Sequence, residues 1–158
     1  MDPHANQPRR SGAAPLGPPE VAGGFVRIVL ALVIIELTAA TADIHFSLGG
    51  QLFTLNGFGY VALGAAYAIG ALVPLTIVQR FAWLPRLGLA AYTLVTIGAY
   101  LVIGPYFTLG WIAKGIEVAI VGLLLADLVF VYGSPRDLWH AVVGSRSSPR
   151  PPTRPRHA

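Results

Sequence analysis

From Phe25 onward the chain alternates between long apolar runs and short polar breaks. Four runs, at about 25–44, 57–78, 87–103 and 111–132, each approach the length of roughly 20 apolar residues that a helix needs to cross a bilayer. The pattern predicts an all-α fold, a four-helix transmembrane bundle made of two antiparallel helical hairpins. The flanks read differently. Residues 1–24 are dense in Pro, Gly and Ala without apolar periodicity, and 145–158 form a basic, Pro-rich stretch, so both are expected to be disordered tails. Between span four and that second tail, Ser134-Pro135 suits an N-cap followed by proline at the first helical position. Residues 133–144 are therefore expected to form a short interfacial helix, with Leu138, Trp139 and Val142 toward lipid.

Composition sharpens this picture. Only 11% of the 158 residues are charged, where a soluble domain carries about a quarter. Residues 25–132 hold eight of the charged side chains and the two flanks hold the other ten, so the scarcity is concentrated in the middle. The net charge of +4 comes from ten arginines and one lysine, and the arginines all fall on one side of an even-numbered topology. The opposite loops, 46–56 and 104–110, carry no Lys or Arg. The positive-inside rule then predicts a multi-pass protein of the plasma (inner) membrane with both termini cytoplasmic. The arginines are explained as a topology signal, with no nucleic-acid partner implied. Ala40-Thr41-Ala42 has the look of a signal-peptide cleavage site, but Glu36 inside the would-be apolar core argues against cleavage.

Zero cysteines remove disulfides, thiolate metal sites and cysteine nucleophiles. His45 is the only histidine within or beside the spans, which excludes two-histidine haem ligation within one chain. Neither H-E-x-x-H nor G-x-S-x-G occurs. Asp43 and His45 could supply two metal ligands, but no third stands near them in sequence. No enzyme, metal or cofactor is expected.

The informative residues are the polar ones inside the spans, because a charge in a bilayer costs several kcal/mol unless paired or hydrated. Glu36 and Asp43 lie seven apart and share a helix face, as do Lys114 and Glu117, three apart on span four. With His45 they make a candidate intramembrane polar cluster: Glu36, Asp43, His45, Lys114 and Glu117. Its plain role is an ion pair of Lys114 with Glu36 or Glu117 that sets spans one and four side by side. Lys114 can neutralise only one acid, so the other must be protonated, hydrated or paired elsewhere, and a proton-coupled carrier uses such a group. Tyr92, Thr96 and Tyr100 form a hydroxyl-bearing stripe on span three. On span two Ala62, Ala66 and Gly70 offer a small-residue packing ridge, and Pro74 is expected to kink its end.

The connector from His45 to Asn56 holds five large apolar residues, too many for a solvated loop. It is expected to lie in the interface or dip back over the cluster as a lid, with Gly49 and Gly50 allowing the turn and Gln51 and Asn56 satisfying backbone groups. Its six residues from Gly50 match those from Gly104 at four positions, each set preceding the second helix of a hairpin. The run Leu52-Phe53-Thr54-Leu55-Asn56-Gly57-Phe58-Gly59-Tyr60 resembles a pattern in small uncharacterised four-helix prokaryotic membrane proteins. In those a His closes helix one and an LFxLNGxGY-like run opens helix two. The resemblance spans about 25–132 and implies the fold, with no activity to carry over. Two functions fit these features: a non-enzymatic accessory or scaffold subunit with a membrane-protein partner or as a homo-oligomer, and a small proton-coupled or hydrophobic-solute carrier.

Overall fold

The computed structural model describes residues 18–143, all of whose regular structure is helical. Six helices follow one another: α1 (Pro18–Leu48), α2 (Gln51–Leu72), α3 (Thr76–Arg80), α4 (Trp83–Ile103), α5 (Thr108–Tyr132) and α6 (Pro135–Val143). Four of them, α1, α2, α4 and α5, are long and apolar enough to cross a membrane, which fits a multi-pass membrane protein. The sequences expected as tails lie largely outside the described residues. The exception is 18–24, which opens α1, and Pro18 and Pro19 suit a first helical turn because their missing N–H groups would have no partner there.

The two hairpins close into a ring in which α1 packs on α2 and α5, and α4 packs on α2 and α5. Spans one and four are neighbours, as expected. We call the end holding the α1–α2 and α4–α5 connections the turn end and the opposite one, with Arg27, Arg80, Arg86 and Arg136, the arginine end. A core of Ile34, Tyr60, Tyr67, Leu89, Ile120 and Leu124, all fully buried, fills the middle.

The greasy connector is the main departure from expectation. α1 continues through His45 to Leu48 and α2 starts at Gln51, so the stretch consists of two helix ends around a two-residue turn. There is no re-entrant loop to serve as a separate lid. Gly49 (φ 68°) and Gly50 (φ 81°) both adopt the left-handed region, which side-chain-bearing residues rarely occupy, and this lets the helices reverse without a loop. Gln51 is exposed on the first turn of α2, and Asn56 is half-buried in its second.

Pro74 does more than kink span two. The helix ends at Leu72, and α3 restarts at Thr76. Proline has no N–H for the Gly70 carbonyl four residues back. The Gln79 amide replaces it, donating to the Gly70 carbonyl at 3.2 Å and the Val73 carbonyl at 2.8 Å. The packing face of α2 also differs from the alanine ridge: Ala62 and Ala66 are exposed, while Gly57, Tyr60, Gly64, Tyr67 and Gly70 are buried. The Thr38 methyl occupies the space that a Cβ at Gly64 would need. Ser134 caps α6, its Oγ accepting from the Asp137 N–H at 3.2 Å while donating to the Asp137 carboxylate at 2.5 Å.

Candidate functional site

The inward stripe of α5 is Lys114, Glu117, Ile120, Leu124 and Asp127, spaced three or four residues apart on one face and all buried. It carries a charge group near each end. Glu117 and Asp127 are ten residues apart, about 15 Å along the helix axis at 1.5 Å per residue.

Near the turn end, Lys114 Nζ donates to both oxygens of Glu117, at 2.6 Å and 2.5 Å. Glu117 is fully buried and Lys114 is 7% exposed, so the pair is dry on the acid's side. Thr96 Oγ1 stands 3.0 Å from Glu117 Oε2 and 2.8 Å from the Thr93 carbonyl, both of which only accept. Thr96 therefore spends its one proton on them, and Tyr60 OH, 2.7 Å away, donates to Thr96. A directed chain from Tyr60 through Thr96 to Glu117 thus ties α2 and α4 to α5. Beside it Tyr92 OH donates to Asn56 Oδ1 at 2.6 Å, with its ring edge-on to Tyr60 at 5.1 Å. The hydroxyl stripe of span three, Tyr92, Thr96 and Tyr100, is turned into the bundle.

His45 joins this group from α1. Its Nδ1 is 2.7 Å from the Thr41 carbonyl, which can only accept, so Nδ1 carries the proton. Nε2 then faces Glu117 Oε1 at 3.8 Å. Lys114 Nζ sits 5.5 Å over the Tyr100 ring. His45, Asn56, Tyr92, Thr96, Tyr100 and Lys114 line a cavity of about 560 Å³ between the hairpins at the turn end.

Glu36 and Asp43 do not join the cluster. Both are exposed on the outer face of α1, whose buried positions are Ala31, Ile34, Thr38, Thr41, Ala42 and His45. Spacing put Glu36 and Asp43 on one face correctly, but that face points away from Lys114. Asp43 and His45 consequently diverge, and among the described residues no three His, Cys, Asp or Glu side chains gather as metal ligands.

A second ion pair near the arginine end was not expected. Arg86 Nε donates to Asp127 Oδ2 at 2.7 Å, Arg86 Nη1 to the Ala82 carbonyl at 2.7 Å, and Tyr67 OH to Asp127 Oδ2 at 3.2 Å. The guanidinium lies 5.6 Å over the Tyr67 ring, and both charged residues are 2% exposed. Arg86 reads in sequence as one of the topology arginines because it follows a loop. The signal that would have found the pair is Asp127 itself, an acid in phase with Lys114 and Glu117 on α5. A cavity of about 460 Å³, with Arg27 and Gln79 in its wall, reaches this pair from the arginine end.

Comparison of the chain with known protein families, curated proteins and solved structures finds no match.

Proposed function

We propose that the protein is a non-enzymatic membrane subunit that packs against a larger membrane partner through the outer face of α1. The observation that carries this reading is Glu36. It is exposed, and within the apolar segment Gly23–Leu48 it stands thirteen residues from one end and twelve from the other. A charged side chain at the centre of a transmembrane helix costs about 2.5–3.5 kcal/mol on an insertion scale, and the cost falls when a partner supplies a hydrogen-bond donor. The same face offers Asp43 two turns further on, with Ala39 and Ala40 between. Those alanines let a second helix approach closely enough for a side-chain contact.

The interior supports the subunit reading over a proton carrier. A carrier needs an acid facing a cavity without a fixed counter-charge, whereas Glu117 is held by Lys114 and Asp127 by Arg86. Glu36, the acid left over, is outside the bundle. The partner of choice presents a Lys, Arg or amide at mid-membrane. A second copy meeting through α1 would set Glu36 against Glu36 instead. The arginine distribution orients the assembly with both termini on the cytoplasmic side of the plasma membrane.

The test is affinity purification from native membrane in mild detergent, comparing the unaltered chain with Glu36→Leu. A stoichiometric partner held by the unaltered chain and lost from a fully folded Glu36→Leu supports the proposal. Equal recovery by both chains, or recovery of no partner by either, overturns it.

A further inference from the structure

The cavity at the turn end is not needed by the α1 interface, and it has the dimensions and lining of a ligand site. Its volume of about 560 Å³ lies within the range of roughly 300–1,000 Å³ usual for small-molecule pockets. Leu52, Val95 and Ile103 wall it and are 81%, 68% and 80% exposed, so the walls run continuously onto the membrane-facing surface of α2 and α4. The floor is polar, with His45, Asn56, Tyr92, Thr96 and Lys114. An apolar body can thus enter from the lipid side with its polar head leading.

The charge and the spare hydrogen-bonding capacity of that floor define the head. Among the described residues Lys114 is the one Lys or Arg lining it, and both oxygens of the fully buried Glu117 already hold that ammonium. An anionic head would share the single ammonium with Glu117, so one of two negative charges would stand uncompensated in a dry site, which is strongly unfavourable. The head is therefore neutral. Two N–H donors remain. The third proton of Lys114 has only a long contact, 3.4 Å, to the Thr96 carbonyl. Asn56 uses its oxygen for Tyr92, and its amide nitrogen donates to no group among the described residues. The complement to two N–H donors on a neutral, aromatic-rich floor is a carbonyl.

We infer that this cavity binds a neutral lipid-soluble molecule with a carbonyl-bearing head and an apolar tail, the head on Lys114 and Asn56 and the tail between α2 and α4. A quinone and an acylglycerol share this chemistry. The site lies on different surfaces from Glu36, so it stands or falls independently of the proposed subunit role.

Trp111 is a usable reporter, since its ring lies 5.5 Å from that of Tyr100, which lines the cavity. The full chain carrying Trp83→Phe and Trp139→Phe is titrated in detergent with a decyl-chain benzoquinone, a brominated monoacylglycerol and brominated decanoate. Saturable quenching by one or both neutral probes, weakened tenfold or more by Asn56→Leu and by cavity-filling Ala99→Phe, supports the inference, and the better of the two identifies the head. Stronger saturable quenching by decanoate overturns it in favour of an anion site. Non-saturable quenching, unchanged in both variants, overturns it as simple partition into the micelle.

Discussion

Replacing Asp127 with Asn removes a charge while keeping the shape, and leaves the Arg86 guanidinium unpaired at 2% exposure. At about 4 Å between charge centres and an effective dielectric near 20, the lost Coulomb attraction is about 4 kcal/mol. This agrees with the roughly 3–5 kcal/mol measured when one partner of a buried pair is removed. Screening does not reduce it much, because the side chains are only 2% and 3% exposed, at the inner end of the arginine-end cavity. Arg86→Met should cost a similar amount by stranding Asp127, whose other protein donor is Tyr67 OH at 3.2 Å. The double variant strands no charge, so it should lose less than the sum, with a coupling of about 2 kcal/mol or more. That figure separates an ion pair from an ordinary contact, since neutral hydrogen bonds between membrane helices average about 0.6 kcal/mol. Reversible unfolding by steric trapping in bicelles measures all four corners of the cycle. A coupling at or below about 0.6 kcal/mol would refute the pairing and, with it, the view that charge holds the arginine end together.

Three further outcomes follow from local geometry. Gln79→Leu strands the Gly70 and Val73 carbonyls and should cost about 1–2 kcal/mol by the same unfolding assay; adding Pro74→Ala, which restores an N–H for Gly70, should recover part of it. Gly59→Ala sets a Cβ into the Tyr92 phenol and should destabilise by about 1–3 kcal/mol, with partial relief from Tyr92→Leu in the same chain; no relief would mean that the ring is not the obstacle. Ser134→Ala removes the α6 cap at a cost of about 1 kcal/mol, visible as faster amide exchange over 137–143 while α5 is unchanged.

What could be read from sequence divides along a physical line. Hydropathy reports how far along a helix a residue lies, and four spans followed from it. Residues on one helix are also related by fixed geometry, so the three-residue spacing of Lys114 and Glu117 made their pairing legible. Azimuth relative to other helices is not encoded in the same way. Glu36 and Asp43 were correctly placed on one face, but nothing local says that the face turns outward; on the inner face Thr38 donates to the Ile34 carbonyl, and His45 donates to the Thr41 carbonyl and faces Glu117. Arg86 and Asp127 lie 41 residues apart and meet only once α4 docks on α5. The turn end was misjudged for a different reason. A glycine pair permits both a re-entrant loop and a two-residue reversal, and the tight form brings Phe46 over Gly57, a contact that sequence does not show.

The placement of charge also constrains how the hairpins can meet. Each interior pair involves α5: Lys114 and Glu117 both belong to it, and Arg86 reaches Asp127 from α4. Sliding α4 along α5 by one turn, about 5.4 Å, would carry Thr96 off Glu117 and Arg86 off Asp127 together, stranding polar groups at two depths. The apolar middle, Ile120 and Leu124 against Leu89 and Ile34, would tolerate such a slide far better, because aliphatic side chains exchange neighbours at small cost. The two charged contacts therefore fix register where the core cannot. Hairpin α1–α2 is tied into the same register by Tyr60 at one end and Tyr67 at the other. With α2, α4 and α5 locked by groups that pair internally, the outer-face acids of α1, Glu36 at mid-span and Asp43 two turns on, are left to find their counterpart in a second molecule, in water or in a proton.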